Sequence, residues 1–205
     1  MKKLIVLVAA LAATLGLTTC AMPLPEPEPD YLDAMLRAAV MGDVRAGHRA
    51  QRARDESSED DADYIPVSFD ELYMLSRYIY LEYGSYRCSD ELRLCAGEVM
   101  LNRLASSEYP NSLEAVICQS GEEGSVSMHA FDACRTPSRA CARVSLRLLM
   151  GERMLEPAVV VIDDTPRDGV YAMFCDRLLG NTYFYKSENA ELYVAPVEVD
   201  AGAEK

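Results

Sequence analysis

The sequence predicts an α+β domain over about residues 66–187, mainly helical in its N-terminal part and ending in a small antiparallel sheet. Two patterns and their order carry that expectation. Between Ser68 and Gly151 apolar residues recur at intervals of three and four, the period of helices with one buried face. After Pro157 three short runs rich in β-branched and aromatic residues follow, at 158–162, 170–174 and 182–186, separated by turn sequences.

The chain opens on a processing signal. Lys2 and Lys3 precede an apolar run from Leu4 to Leu17, followed by Thr18, Thr19, Cys20 and Ala21. A charged start, an apolar centre too short to span a bilayer comfortably and a cleavage-like end read as a secretory signal over 1–21. The protein is thus expected to be secreted or held in the cell envelope. Leu17-Thr18-Thr19-Cys20 looks like a lipobox in which Thr19 is larger than usual. Cys20 is then either a lipid-bearing membrane anchor or discarded by cleavage after Ala21. Residues 22–65 read as a Pro-rich and acidic linker, flexible or marginally helical, in which 31–54 could form a helix with Leu32, Met35, Leu36 and Val40 at helical spacing.

Ordered structure is expected from Ser68. Ser68 and Glu71 have the spacing of a capping box, and Leu72, Leu75, Ile79 and Glu82 then share one helical face up to Gly84. A second helix begins near Ser89, where Asp90 and Glu91 suit the positive end of its dipole. It buries Leu92, Cys95, Ala96 and Val99 and runs out near Ala105. A short helix is expected from Ser112, carrying Val116 and Ile117, then a long loop over 119–135. Thr136 and Pro137 suit the start of a helix that reaches Met150 and stops at Gly151. The acidic tail, 188–205, is expected to fray.

The net charge of −13 comes mostly from the appendages. Residues 22–70 carry 12 acidic and 5 basic side chains, whereas residues 71–187 carry 16 and 12. Such a balance excludes a nucleic-acid-binding surface as the main function. Beyond Cys20 six cysteines remain: Cys88, Cys95, Cys118, Cys134, Cys141 and Cys175. An even set in an exported chain suggests disulfides.

Glu82 is the most informative residue. A carboxyl set against apolar side chains has its charged form disfavoured, so it stays protonated nearer neutrality and can donate to a leaving oxygen. The bland alternative, an idle Glu at a helix end, is the commoner outcome of periodicity taken by itself.

Five segments carry a family resemblance: Y-L-E-Y-G-S at 80–85, C-S-D-E-L at 88–92, V-M-L-N-R at 99–103, Y-P-N-S-L-E-A-V-I-C-Q at 109–119 and G-N-T-Y-F-Y at 180–185. In this order and spacing they resemble the SleB/CwlJ-type cell-wall hydrolases, known from spore cortex lysis, and cover nearly the whole expected domain. The resemblance implies a lysozyme-like fold and cleavage of peptidoglycan glycan strands, as a lytic transglycosylase or a muramidase. It places Glu82 as the acid/base. Gln119, Tyr183, Tyr185 and Asn102 fall on positions implied to meet the glycan, although Asn102 and Arg103 also read as scaffold. Neither a metal nor an organic cofactor is implied. The chain departs from the family at 120–123, where Ser-Gly-Glu-Glu replaces Pro-Gly-Gln and an aromatic residue, and at Thr182, often His.

Ordinary glycosidases use two carboxylates. No second acid is marked as Glu82 is, although Glu122, Glu123 and Asp132 lie in the loop, and one marked acid favours the transglycosylase route. Two other readings compete. An N-acetylmuramoyl-L-alanine amidase needs a zinc ligand set, and a cysteine peptidase a Cys–His pair, for which His129 with Cys118 or Cys134 is available. A non-catalytic peptidoglycan-binding envelope protein is the third, supported by the altered 120–123 segment.

Overall fold

A computed structural model describes residues 30–58, 61–119, 125–176 and 180–193. The signal at 1–21, Cys20 and the altered segment 120–123 lie outside them. Among the described residues there are seven helices and one three-stranded antiparallel sheet. The chain is therefore mixed helix and sheet, mostly helical, with the strands last.

The stretch expected to be flexible or marginally helical is instead a packed helical hairpin. Helix α1 (Tyr31–Met41) is capped by Asp30 and ends at Gly42 in the left-handed conformation; α2 (Val44–Ser57) is capped by Asp43. Met35, Leu36, Ala38 and Ala39 of α1 form a core with Val67, Phe69, Leu72 and Ala142. Gly47 of α2 lies flat on the Phe69 ring, where a Cβ would stand 2.2 Å from ring carbons. A Gly47→Ala variant is expected to lose about 1–3 kcal/mol by overpacking, read as a lower denaturant midpoint with an unchanged slope.

Helix α3 (Phe69–Tyr83) starts where the Ser68 side chain accepts from the Glu71 N–H, as its spacing predicts. Helix α4 (Asp90–Leu104) starts at Ser89 in the same way. After α5 (Leu113–Ile117), capped by Ser112, the segment expected to be one long loop contains α6 (Met128–Ala133), a turn and a half capped by Ser127 and too short to show periodicity. Helix α7 (Arg139–Leu149) is capped by Ser138, so Thr136 and Pro137 precede it. Leu75, Ile79, Ala96, Val99, Val144 and Leu148, from α3, α4 and α7, meet in the main core.

Strands β1 (Val159–Asp163), β2 (Ala172–Asp176) and β3 (Gly180–Lys186) form the order β1-β3-β2, with a bulge between Val159 and Val161. Ile162 and Phe184 turn one face onto the helical core. Tyr183 and Tyr185, two residues apart, share the opposite face. The start of the tail is pinned. Ser187, Asn189 and Tyr193 all hydrogen-bond to the Glu108 carboxylate, and Ala190–Tyr193 is a 3₁₀ turn; the rest of the tail expected to fray, 194–205, lies outside the described residues.

The six cysteines are all free thiols, against the expectation of disulfides. Cys88, Cys95 and Cys141 are buried, and burial pushes their thiols up, to about 11 for Cys88 and about 12 for Cys95. Here they are small core side chains.

Candidate active site

Helix α3 sets the position of Glu82. Leu72, Leu75 and Ile79 are fully buried, and Glu82 continues their line one turn further, where this face of the helix emerges while Tyr83 beside it stays in the core. Glu82 is exposed, not partly buried as its place on the stripe suggested. Loss of hydration against the surrounding protein nevertheless raises its carboxyl pKa above the ordinary 4.5. The group is thus reachable by a ligand and incompletely hydrated. Among the described residues it makes no hydrogen bond or ion pair, so its proton is not committed elsewhere.

The chain next to Glu82 is tightly built. Gly84 closes the helix, and a Cβ there would lie 2.2 Å from the Tyr80 carbonyl oxygen, which requires glycine. Tyr78 and Tyr83 flank the carboxyl and are buried, and the Tyr78 hydroxyl has no hydrogen-bond partner among the described residues. From α4, buried Arg93 donates through Nε to the Tyr83 carbonyl at 3.0 Å and through Nη2 to the Ser85 carbonyl at 2.7 Å. Its Nη1 meets Asp90 at 2.7 Å.

Asn102 is buried and gives its amide to the carbonyls of Glu156 (3.1 Å) and Val159 (3.0 Å). Arg103 is fully buried; it donates to the Val160 carbonyl and stacks its guanidinium over Tyr109 at 5.2 Å. Both tie α4 to the approach into β1, a scaffold role. Glu98, fully buried on the same helix, accepts from the N–H groups of Met154 (2.7 Å) and Leu155 (3.1 Å). Sequence reading missed Arg93 and Glu98, because an apolar period is blind to polar side chains that are buried for their hydrogen bonds.

Tyr185 is mostly buried. Its hydroxyl accepts from the Arg167 N–H and donates to the Thr165 carbonyl, and the Arg167 guanidinium lies 4.4 Å from its ring centre. With Tyr109 and Tyr171 it lines a cavity of about 810 Å³ at the end of the sheet. Tyr183 is half-buried, and its hydroxyl accepts from Asn181. Gln119 is half-buried, its Oε1 unpartnered among the described residues. A second cavity, about 500 Å³, lies between Ser89 and Leu92 of the α4 start and Phe174, Cys175 and Asp176 of β2. Glu82 lines neither cavity, and no hydrogen bond or ion pair joins it to Gln119, Asn102, Tyr183 or Tyr185.

Of the acids considered as a second carboxylate, Asp132 is exposed and 3.9 Å from Arg77, while Glu122 and Glu123 lie outside the described residues. Cys118 and Cys134 have thiols pushed up by burial, which disfavours the nucleophilic thiolate, and His129 is exposed and bonded to neither. Among the described residues no three His, Cys, Asp or Glu side chains gather closely enough to hold a metal ion. Comparison with known proteins gives no match: no family model, no curated protein and no solved structure.

Proposed function

We propose that this chain cleaves the glycan strands of peptidoglycan, with Glu82 as acid/base, in a domain of SleB/CwlJ type and lysozyme-like fold. The observation that carries the reading is the state of Glu82: an accessible carboxyl at a helix end, without a bonded partner among the described residues, whose charged form is disfavoured. Such a group protonates the glycosidic oxygen as the bond to it breaks. As carboxylate it then takes a proton from the muramic acid 6-hydroxyl, which closes an anhydro ring, or from water, which gives a reducing end. One marked acid favours the first route. The signal-like N-terminus supports action in the envelope, where this polymer lies.

The test is product chemistry. The chain without residues 1–21 is incubated with peptidoglycan and the new ends are identified by mass spectrometry. Anhydro-muramoyl ends are expected. Reducing ends make the protein a hydrolase and call for a second carboxylate. Free stem peptides overturn the proposal in favour of an amidase, and binding without release in favour of a non-catalytic wall protein.

The rate should also follow the acid. Because desolvation raises the Glu82 pKa, the protonated form survives above the ordinary 4.5, and glycan release is expected to decline with rising pH only beyond that value. A pH–rate profile with its alkaline limb at or below 4.5 excludes Glu82 as the proton donor.

A further inference from the structure

A helix leaves its last carbonyls without intrahelical donors, and most helices here supply one through a backbone N–H just past the end. At α1 the N–H of Gly42 does this, and at α4 the N–H of Ala105. Helix α3 ends differently. Gly84 has right-handed angles, φ −74° and ψ −8°, and no capping N–H turns back onto the helix. The donors come from the side chain of Arg93, reaching across from α4 to the carbonyls on either side of Gly84. Arg93 is buried, and Asp90, three residues earlier on its own helix, fixes the third edge of the guanidinium. A planar fork with three separate acceptors holds one orientation, which a lysine ammonium does not reproduce.

We propose that Arg93 is a positioning residue for Glu82, replacing the missing backbone cap and holding the final turn of α3 at the angle that presents the carboxyl. This rests on Glu82 being the acid/base. Tyr83, whose carbonyl Arg93 grips, is the residue next to Glu82, so loosening that bond frees the turn that carries the acid. The ionisable groups facing this turn are Tyr78 and Tyr83 from α3, Cys88 from the connection, and Arg93, Asp90 and Arg103 from α4. The Cys88 N–H shares the Ser85 carbonyl at 3.0 Å, but of these groups only Arg93 reaches the turn's backbone through its side chain, and it alone donates to the Tyr83 carbonyl.

The test compares wild type, Arg93→Lys and Gly47→Ala, each lacking residues 1–21, at temperatures where all are folded. Two quantities are followed: the titration of the Glu82 carboxyl by carbon-detected NMR, and kcat and KM for glycan release. In Arg93→Lys we expect kcat to fall about tenfold to a hundredfold with KM little changed, the cost of misplacing a reacting group from a distance. The Glu82 titration moves down toward that of a free carboxyl as the loosened turn takes up water. Gly47→Ala, destabilised far from the site, keeps both values. Wild-type titration and kcat in Arg93→Lys overturn the proposal, as does an equal change in Gly47→Ala. Should Arg93→Lys not fold, Asp90→Asn keeps the guanidinium but removes its anchor, and smaller changes in the same directions are expected; no change there overturns it. If wild type releases no glycan, the functional reading fails on its own, and the titration still decides whether Arg93 positions Glu82.

Discussion

Replacing Glu82 with Gln is expected to lower glycan release by about 10²–10⁴-fold, the usual contribution of a positioned general acid. The amide keeps the shape of the side chain and loses only the transferable proton, and the carboxyl has no bonded partner among the described residues to be orphaned. The denaturant midpoint therefore should not fall. At neutral pH it should rise. The folded chain holds the Glu82 proton more tightly than the unfolded chain, since desolvation raises the folded pKa above 4.5. Between those two values unfolding releases a proton, so stability declines as pH rises through that window and stays lower above it. Gln has no such proton to release. Denaturation of both proteins at pH 4 and pH 7.5 reads the difference, and a variant that gains nothing on the alkaline side means that Glu82 is fully hydrated. A folded variant that releases glycan at the wild-type rate removes Glu82 from the chemistry.

The second large effect is expected at Glu98. Its side chain has no exposure, its Oε2 accepts two backbone N–H groups, and its Oε1 has no partner among the described residues. Glu98→Ala leaves the N–H groups of Met154 and Leu155 unpaired and opens a void beside α4, a loss of about 3 kcal/mol. Glu98→Gln retains an acceptor and should lose much less. It also tests the charge. Burial raises the Glu98 pKa against the opposing pull of the two N–H bonds, so wild-type stability drops as pH climbs from 4.5 through the raised value. That slope is expected to vanish in Glu98→Gln. If Glu98→Ala unfolds at the wild-type midpoint, the two backbone bonds contribute nothing.

Much of the helical part was legible because its signals are local. Ser68, Ser89 and Ser112 each cap the helix that begins after them, and Gly84 and Ala105 mark the ends that their neighbours suggested. Within the hairpin over 31–57, the spacing of Leu32, Met35, Leu36 and Val40 made α1 legible, but the docking of α2 was not, because the residue that seats it is a glycine against an aromatic ring rather than an apolar side chain. Helix α4 misled in another way. Its expected stripe of Leu92, Cys95, Ala96 and Val99 is buried, but so are Arg93, Glu98, Asn102 and Arg103 on other faces. At the candidate site, the placement of Glu82 on a helical line followed from spacing, whereas its exposure depended on where the core stops. The burial of Tyr185 depended on Arg167 and Thr165, in a turn that no strand pattern describes.

The burial of α4 on several faces restricts what the protein can do mechanically. Leucine against leucine slips with little penalty, because apolar contacts are nearly interchangeable. Arg93, Glu98, Asn102 and Arg103 instead each grip a different stretch of main chain, from Tyr83 and Ser85 at one end to Val159 and Val160 at the other. A shift of one residue along the axis, or a rotation of 100°, breaks all of them together. The helix therefore behaves as an axle keyed at both ends. The turn that holds Glu82 and the first strand of the sheet are bolted to the same shaft, and an opening between them has to bend α4 itself rather than slide it.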